Sequence, residues 1–216
     1  MTRTALVVGA TGLVGGHAVE LLAEDPRWSR VIVLARRSTR RAHAKITEHI
    51  VDFEALAVPL DGVDDVFACL GTTIKVAGSQ ERFRRVDHDY TLAVARRAHD
   101  AGASRLALVS SVGASDRASS FYLRVKGETE RDVRELGYGT LVIARPSLLV
   151  GERREARAGE RAGIAVASVV APLMLGRLRV YRPIAARDVA RAMIEAVAEG
   201  TSGVRLLTHQ DLVARA

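Results

Sequence analysis

Short, nearly uninterrupted apolar runs alternate along this chain with stretches whose apolar residues recur every three or four positions. The runs are residues 4–8, 31–35, 63–70, 106–110 and 141–144. Apolar character without polar alternation suits strands covered on both faces, so these five predict a parallel sheet between two helical layers. Helical spacing marks residues 12–24, 83–101 and 120–136. Strand and helix in that rhythm define an α/β, doubly wound architecture. A further short strand is expected at 46–50, between the second and fourth in the chain. With 216 residues, no internal repeat and no low-complexity linker, the chain suits a single domain.

The first strand runs into VVGATGLVG, where Gly9, Gly12 and Gly15 recur every three residues and Leu13, Val14, Ala18, Leu21 and Leu22 then follow helical spacing. A glycine turn between strand and helix lets the backbone approach an anion, with free N–H groups and the positive end of the helix pointing at it. A tight turn and nothing more is the alternative. The second strand ends Ala35-Arg36-Arg37, where an NAD-binding chain would carry an acid for the adenosine ribose. A guanidinium there favours a 2′-phosphate, so NADP(H) is expected over NAD, with Arg36 the stronger candidate. Asp52 after the third strand could accept the adenine amino group, with Phe53 near the ring; equally, Asp52 could cap a short helix over 53–56. Gly71 and Thr72 follow the fourth strand at the edge where open sheets bind ligands.

Composition narrows the picture. The net charge of +7 comes from arginine, because lysine occurs only at positions 45, 75 and 126. Arg36, Arg37, Arg40 and Arg41 form a basic cluster, yet acids are interspersed elsewhere and aromatics are only 4%, too few for stacking platforms. Nucleic acid is therefore not an expected partner, and cofactor phosphate is the sharper reading of the cluster. The single cysteine, Cys69, excludes an internal disulfide and a multi-cysteine metal site, and reads as a buried structural thiol. The opening MTRTALVVGA carries no secretory pattern, and residues 162–176 fall short of the ~20 a membrane helix needs and include Pro172. A soluble cytoplasmic protein is expected.

The fifth strand ends LALVSSVGA, and Tyr122 and Lys126 follow, four residues apart. On a helix that spacing puts phenol and ammonium on one face. Four tyrosines and three lysines would supply such a pair by chance about 0.06 times. A phenol that ionises near pH ~10 is a poor acid-base group at neutral pH, and an adjacent lysine cation favours its phenolate. Ser111 or Ser110 can hydrogen-bond a substrate oxygen while Tyr122 donates a proton to the forming alkoxide. The bland alternative is an exposed helix with two serines in a turn.

These motifs carry a resemblance. GATGLVG, LVSSVGA, the Tyr122–Lys126 pair and Arg145-Pro146 closing the sixth strand resemble the short-chain dehydrogenase/reductase superfamily. CLGTTIKVAGS, RVDHDY and FYLRVKGETE are similar to its atypical branch that includes the Tat-interacting oxidoreductase-like proteins. The resemblance spans Ala5 to about Met193. It implies a Rossmann fold with a nucleotide-binding core over residues 1–145 and a small substrate-side part over 146–216, NADP(H) binding, and a Ser111–Tyr122–Lys126 catalytic set. It also implies that Gly9, Thr11, Gly12, Leu13 and Val14 line the diphosphate, Arg36 and Arg37 the 2′-phosphate, and Leu70 and Gly71 the adenosine half. Pro146, Leu148 and Leu149 would pack by the nicotinamide. Asp87 departs from the pattern, standing where related extended members often have an asparagine bracing the lysine.

Beyond Pro146 the sequence says less. Residues 151–161 read as a charged mobile loop or exposed helix start. Residues 162–175 are apolar nearly all round and suit burial, a pocket wall or a subunit contact. Residues 185–198 form an amphipathic helix docked on the sheet, in a part expected to hold few strands. The leading expectation is an NADP(H)-dependent reductase of a carbonyl on a small, fairly apolar compound. The alternatives are an NADP(H)-binding regulatory or redox-sensing module and a sugar-nucleotide epimerase, for whose sugar-binding part the chain after Pro146 is short. Neither a monomer nor a homodimer is excluded.

Overall fold

The computed structural model describes residues 2–151 and 180–215. Seven parallel strands form one sheet: β1 (Arg3–Val8), β2 (Trp28–Ala35), β3 (Ile46–Ile50), β4 (Asp65–Ala68), β5 (Arg105–Val109), β6 (Thr140–Ala144) and β9 (Gly203–Leu207). Their spatial order is β3-β2-β1-β4-β5-β6-β9. The chain moves outward from β1 through β2 to β3, then crosses back to lay β4 against the other side of β1. That reversal opens a crevice at the carboxyl ends of β1 and β4, where sheets of this kind bind ligands.

Burial explains the uninterrupted runs. In β1, Ala5 and Val7 point into one apolar layer and Leu6 and Val8 into the opposite one, all fully buried. The first layer is closed by α1 (Leu13–Glu24) through Val14, Ala18 and Leu22, and by α6 (Ala186–Glu199) through Val189, Met193 and Val197. The second is closed by α4 (Tyr90–Asp100) through Val94 and Ala98, and by α5 (Phe121–Arg134) through Val133. At the opposite end from the crevice, buried Asp65 gathers the strand starts. It accepts Trp28 Nε1 at 2.7 Å, lies 3.4 Å from Arg3 and pairs with Arg105.

The structure revises several expected elements. The strand expected at 63–70 is shortened to Asp65–Ala68, whereas the short strand expected at 46–50 forms as β3, at the sheet's outer edge beyond β2. The single helix expected over 83–101 is three pieces. These are α3 (Gln80–Arg84), capped by Ser79 accepting the Arg82 N–H, a π-helical turn (Arg85–Asp89), and α4. The widened turn buries Asp87 and His88 although they are adjacent. A short helix α2 (Ile74–Ala77) precedes α3. No helix forms over 53–56, where Asp52 Oδ1 instead accepts the Glu54 N–H at 2.9 Å in a turn.

After β6, β7 (Leu149–Val150) pairs in parallel with β8 (Ile184–Ala185). The expected helix at 185–198 is α6, docked as anticipated, but β9 and α7 (His209–Ala214) have no counterpart in the sequence reading. As an edge strand, β9 leaves Val204 and Leu206 half exposed, so its pattern lacks the doubly buried signature of the others. The readings for residues 152–179 lie outside the described residues.

Candidate active site

The first bend depends on glycine. Gly9 has φ +83°, and a Cβ there would lie 2.2 Å from the Cys69 carbonyl oxygen, so only glycine lets the end of β1 rest against the end of β4. A Cβ on Gly15 would lie 2.3 Å from the Gly9 carbonyl oxygen, so α1 starts directly on the turn. Gly12 caps α1 without a side-chain bond, and its first turn holds no acid. The N–H groups at this helix start therefore face the crevice with no carboxylate competing, a cradle that fits a dinucleotide diphosphate. Thr11 and Gly12 are exposed and Leu13 half-buried; Val14 is buried in the core, so only its backbone can serve a ligand.

Arg36 and Arg37 are exposed at the carboxyl end of β2. Arg41, which the sequence offered only as part of a basic cluster, folds back over the glycine turn. Its Nη1 donates to the Ala10 carbonyl at 3.2 Å, and its Nη2 lies 3.3 Å from Glu20. Nothing in local spacing announces that reach, because it depends on the path of the β2–β3 loop. Asp52 is exposed, whereas Phe53 is buried and stacks on Tyr90 with centroids 5.5 Å apart, so its ring is engaged in the core. Leu70 is half-buried and Gly71 exposed where β4 ends. Cys69 beside them is buried, and burial pushes its thiol up to about 12.

The constellation that carries acid-base chemistry is built on α5. Tyr122, Lys126 and Glu130 recur every four residues and share one face of the helix. Tyr122 is half-buried, its ring tilted against fully buried Phe83 of α3 at 5.5 Å. Lys126 is 5% exposed; its Nζ lies 2.8 Å from Asp87 Oδ1 and 3.4 Å from the Val109 carbonyl at the end of β5. Burial works against this ammonium, but Asp87 foremost, then Tyr122 and Glu130, outweigh it and hold Lys126 above its usual value. Asp87 Oδ2 accepts the Thr72 N–H at 2.9 Å. The carboxylate thus fastens the loop after β4 to α5 and, despite departing from asparagine, contacts the lysine.

The two serines separate clearly. Ser110 is buried and gives its hydroxyl to Glu130 Oε1 at 2.5 Å, so this hydroxyl, one of the two candidates for the substrate oxygen, is committed to the carboxylate. Ser111 is half-buried, and its hydroxyl makes only a long contact, 3.3 Å, to the Val112 carbonyl. Its loop is seated on α5 by the Ser115 N–H donating to the Leu123 carbonyl at 3.2 Å. Glu130, which sequence reasoning missed, also accepts two bonds from Arg145, just beyond β6. Its position one helical turn beyond Lys126 was the available signal. Pro146 is buried, Leu148 is 46% exposed and Leu149 lies in β7.

A Rossmann-type sheet, a glycine bend at its switch point and a buried lysine one turn from a tyrosine define a dinucleotide-binding protein of the short-chain dehydrogenase/reductase class. Residues 5–206 match the NAD dependent epimerase/dehydratase family, and the chain belongs to that family. It is 34% identical to protein fmp52, mitochondrial, of Aspergillus clavatus, aligned over 99% of this chain and 97% of that one. It is 37% identical to protein HTATIP2 of Rattus norvegicus over 73% of this chain and 68% of that one. Both fit the Tat-interacting branch that the motifs resemble. Among solved structures, UDP-N-acetylglucosamine 4-epimerase from Methanobrevibacter ruminantium superposes with a TM-score of 0.72 at 18% identity, covering 96% of this chain and 76% of that one. The oxidoreductase ylbE from Lactococcus lactis does so with 0.68, also at 18% identity, covering 98% and 96%. At such identity these two speak for the fold.

The comparisons also correct one expectation. The cytoplasmic placement does not stand, because full-length relatives from Aspergillus clavatus and Eremothecium gossypii are named as mitochondrial proteins. Among the described residues no helix is long and apolar enough to cross a membrane.

Proposed function

We propose that this protein is an NADP(H)-dependent oxidoreductase that reduces a carbonyl of a small, fairly apolar compound. The observation that carries the reading is Lys126, a buried ammonium held at the end of β5 on the same face of α5 as Tyr122. Burying a charge there is costly and has a chemical use in steadying a phenol that exchanges a proton. Gly9, Thr11, Gly12, Leu13 and the Val14 backbone would hold the diphosphate, and Arg36 and Arg37 the 2′-phosphate. Asp52, Leu70, Gly71 and Thr72 would border the adenosine half, with Pro146, Leu148 and Leu149 beside the nicotinamide. Bound in this crevice, NADPH would supply a hydride to the carbonyl carbon, leaving the carbonyl oxygen as an alkoxide.

The chain's own residues do the rest. Ser111 donates a hydrogen bond that orients the carbonyl oxygen, and Tyr122 transfers its proton to that oxygen as negative charge develops. Lys126 steadies the phenolate left behind. Exposed Leu148 supports an apolar preference on the substrate side.

The test follows NADPH consumption with a panel of aldehydes and quinones. Tyr122→Phe is expected to abolish turnover while NADPH still binds with wild-type affinity. Wild-type turnover in that variant would remove Tyr122 from the chemistry.

A further inference from the structure

Beside a phenol that must gain and lose a proton, a lysine held by an amide and a lysine held by a carboxylate are electrically different. An amide leaves the ammonium's full charge acting on the phenol and favours the phenolate. A carboxylate in contact with the ammonium cancels most of that charge.

Asp87 is 1% exposed, 2.8 Å from Lys126 Nζ, and fixed from its other oxygen by the Thr72 N–H. The carbonyl of Asp87 lies 3.4 Å from the Thr129 hydroxyl, which ties the π-helical turn to α5 on the same side. We propose that Asp87 is a positioning residue that neutralises Lys126 as Tyr122 feels it, keeps Tyr122 protonated, and so biases the site toward proton donation, the direction of carbonyl reduction. The inference rests on the Tyr122–Lys126 reading above.

The other charges around the pair leave this effect to Asp87. On α5, Glu130 is occupied by Arg145 from the end of β6, with Arg134 at 3.5 Å. From the end of β4, Cys69 faces Lys126 as a neutral thiol, because burial holds it protonated. From the π-helical turn, His88 is engaged between Asp89 and Asp132, and from α3 Arg84 pairs with Glu128. Glu130 and Arg84 each have their own counter-charge, Cys69 carries no charge, and the carboxylate in contact with Lys126 is Asp87.

The consequence for the chemistry is directional. In reduction the Tyr122 O–H bond breaks, the proton passes to the alkoxide oxygen, and the phenolate regains a proton from water. In alcohol oxidation Tyr122 must already be a phenolate to accept the hydroxyl proton, which the Asp87 charge opposes.

The decisive measurement is phenolate absorbance of the cofactor-free protein during alkaline titration, with Tyr122→Phe identifying the Tyr122 signal. Asp87→Asn keeps an acceptor for the Thr72 N–H and removes the charge, so the Tyr122 midpoint is expected to fall by about one pH unit. Asp87→Glu retains the charge and should leave the midpoint near the wild-type value. The alkaline limb of NADPH-dependent reduction should move down with the midpoint in Asp87→Asn. An unmoved or raised midpoint overturns the proposal. If Asp87→Asn does not fold, Asp87→Thr carries the same expectation and the same refutation. Because the titration needs neither cofactor nor turnover, the two failures are distinguishable: an active Tyr122→Phe enzyme would remove Tyr122 from the chemistry and with it the bias proposed here, whereas an unmoved midpoint would overturn this inference and leave the Tyr122 reading standing.

Discussion

Arg145, just beyond β6, presents its guanidinium side-on to Glu130 of α5, with Nε 2.9 Å from Oε1 and Nη2 2.6 Å from Oε2. With the Ser110 hydroxyl on the same carboxylate, three elements meet on one buried anion at the carboxyl edge of the sheet. Removing one partner of a buried pair strands the other, at a cost of about 3–5 kcal/mol. Arg145 retains partial access to water, which points to the lower end. Glu130→Ala is therefore expected to lower the unfolding free energy by about 3 kcal/mol, measured by urea titration with the fluorescence of Trp28, the chain's one tryptophan. Ser110→Ala should cost about 1 kcal/mol. A loss in Glu130→Ala no larger than that in Ser110→Ala would show that the ion pair does not hold these elements together.

What could be read from sequence follows from which interactions are local. The doubly buried strands β1, β2, β4, β5 and β6 announced themselves because each is apolar on both faces, and Tyr122 and Lys126 stood out because their spacing is that of one helix face. β9 did not, since its place at the sheet edge leaves Val204 and Leu206 in contact with water. The partners of Lys126 were harder to see. Asp87 lies thirty-nine residues upstream and comes within reach only because a π-helical turn rotates it inward, which no α-helical period predicts. Arg41 and Arg145 are likewise placed by the return path of the chain and not by their neighbours in it.

Cys69 offers a check on how closed the floor of the crevice is. Burial pushes its thiol up to about 12 from an ordinary 9.0. The thiolate is the reactive form, so alkylation of the folded protein at pH ~8 should be about a thousandfold slower than of the unfolded chain. Between those two values the unfolded chain sheds the proton that the folded chain keeps, so stability should fall as pH rises through this window. Lys126, also held above its usual value, contributes a slope of the same sign. Comparing wild type with Cys69→Ala isolates the thiol's share, which alkaline urea titrations would read as a shallower decline. An equal decline in both proteins would contradict the burial.

The arginines at the end of β2 predict how the protein chooses its cofactor. If Arg36 and Arg37 meet a 2′-phosphate, replacing both with alanine removes charge-assisted hydrogen bonds worth about 1.5–3 kcal/mol each. NADPH affinity should then fall at least about a hundredfold while NADH affinity stays within about twofold. Titration calorimetry with the two cofactors separates these outcomes. Equal losses for both would mean that the arginines act on the diphosphate or on the fold, and the NADP preference would be withdrawn.

Gly127 makes a prediction whose sign opposes helix propensity. In an exposed helix interior, glycine to alanine gains about 1 kcal/mol. In α5, however, a Cβ at residue 127 would lie 2.1 Å from the Ser115 carbonyl carbon and 2.2 Å from the Asp116 nitrogen, both backbone atoms of the loop that carries Ser111. Neither can swing aside as a side chain does. Gly127→Ala is therefore expected to destabilise by at least about 2 kcal/mol and, by displacing that loop, to lower turnover more than cofactor affinity. Gly16 in α1 is the matched control, because an added Cβ there comes close, at 2.8 Å, only to the guanidinium end of Arg41, which can move. Urea midpoints should separate the two substitutions, Gly16→Ala remaining neutral or gaining slightly. A Gly127→Ala protein as stable as wild type would mean that α5 and the Ser111 loop do not pack as closely as these contacts require.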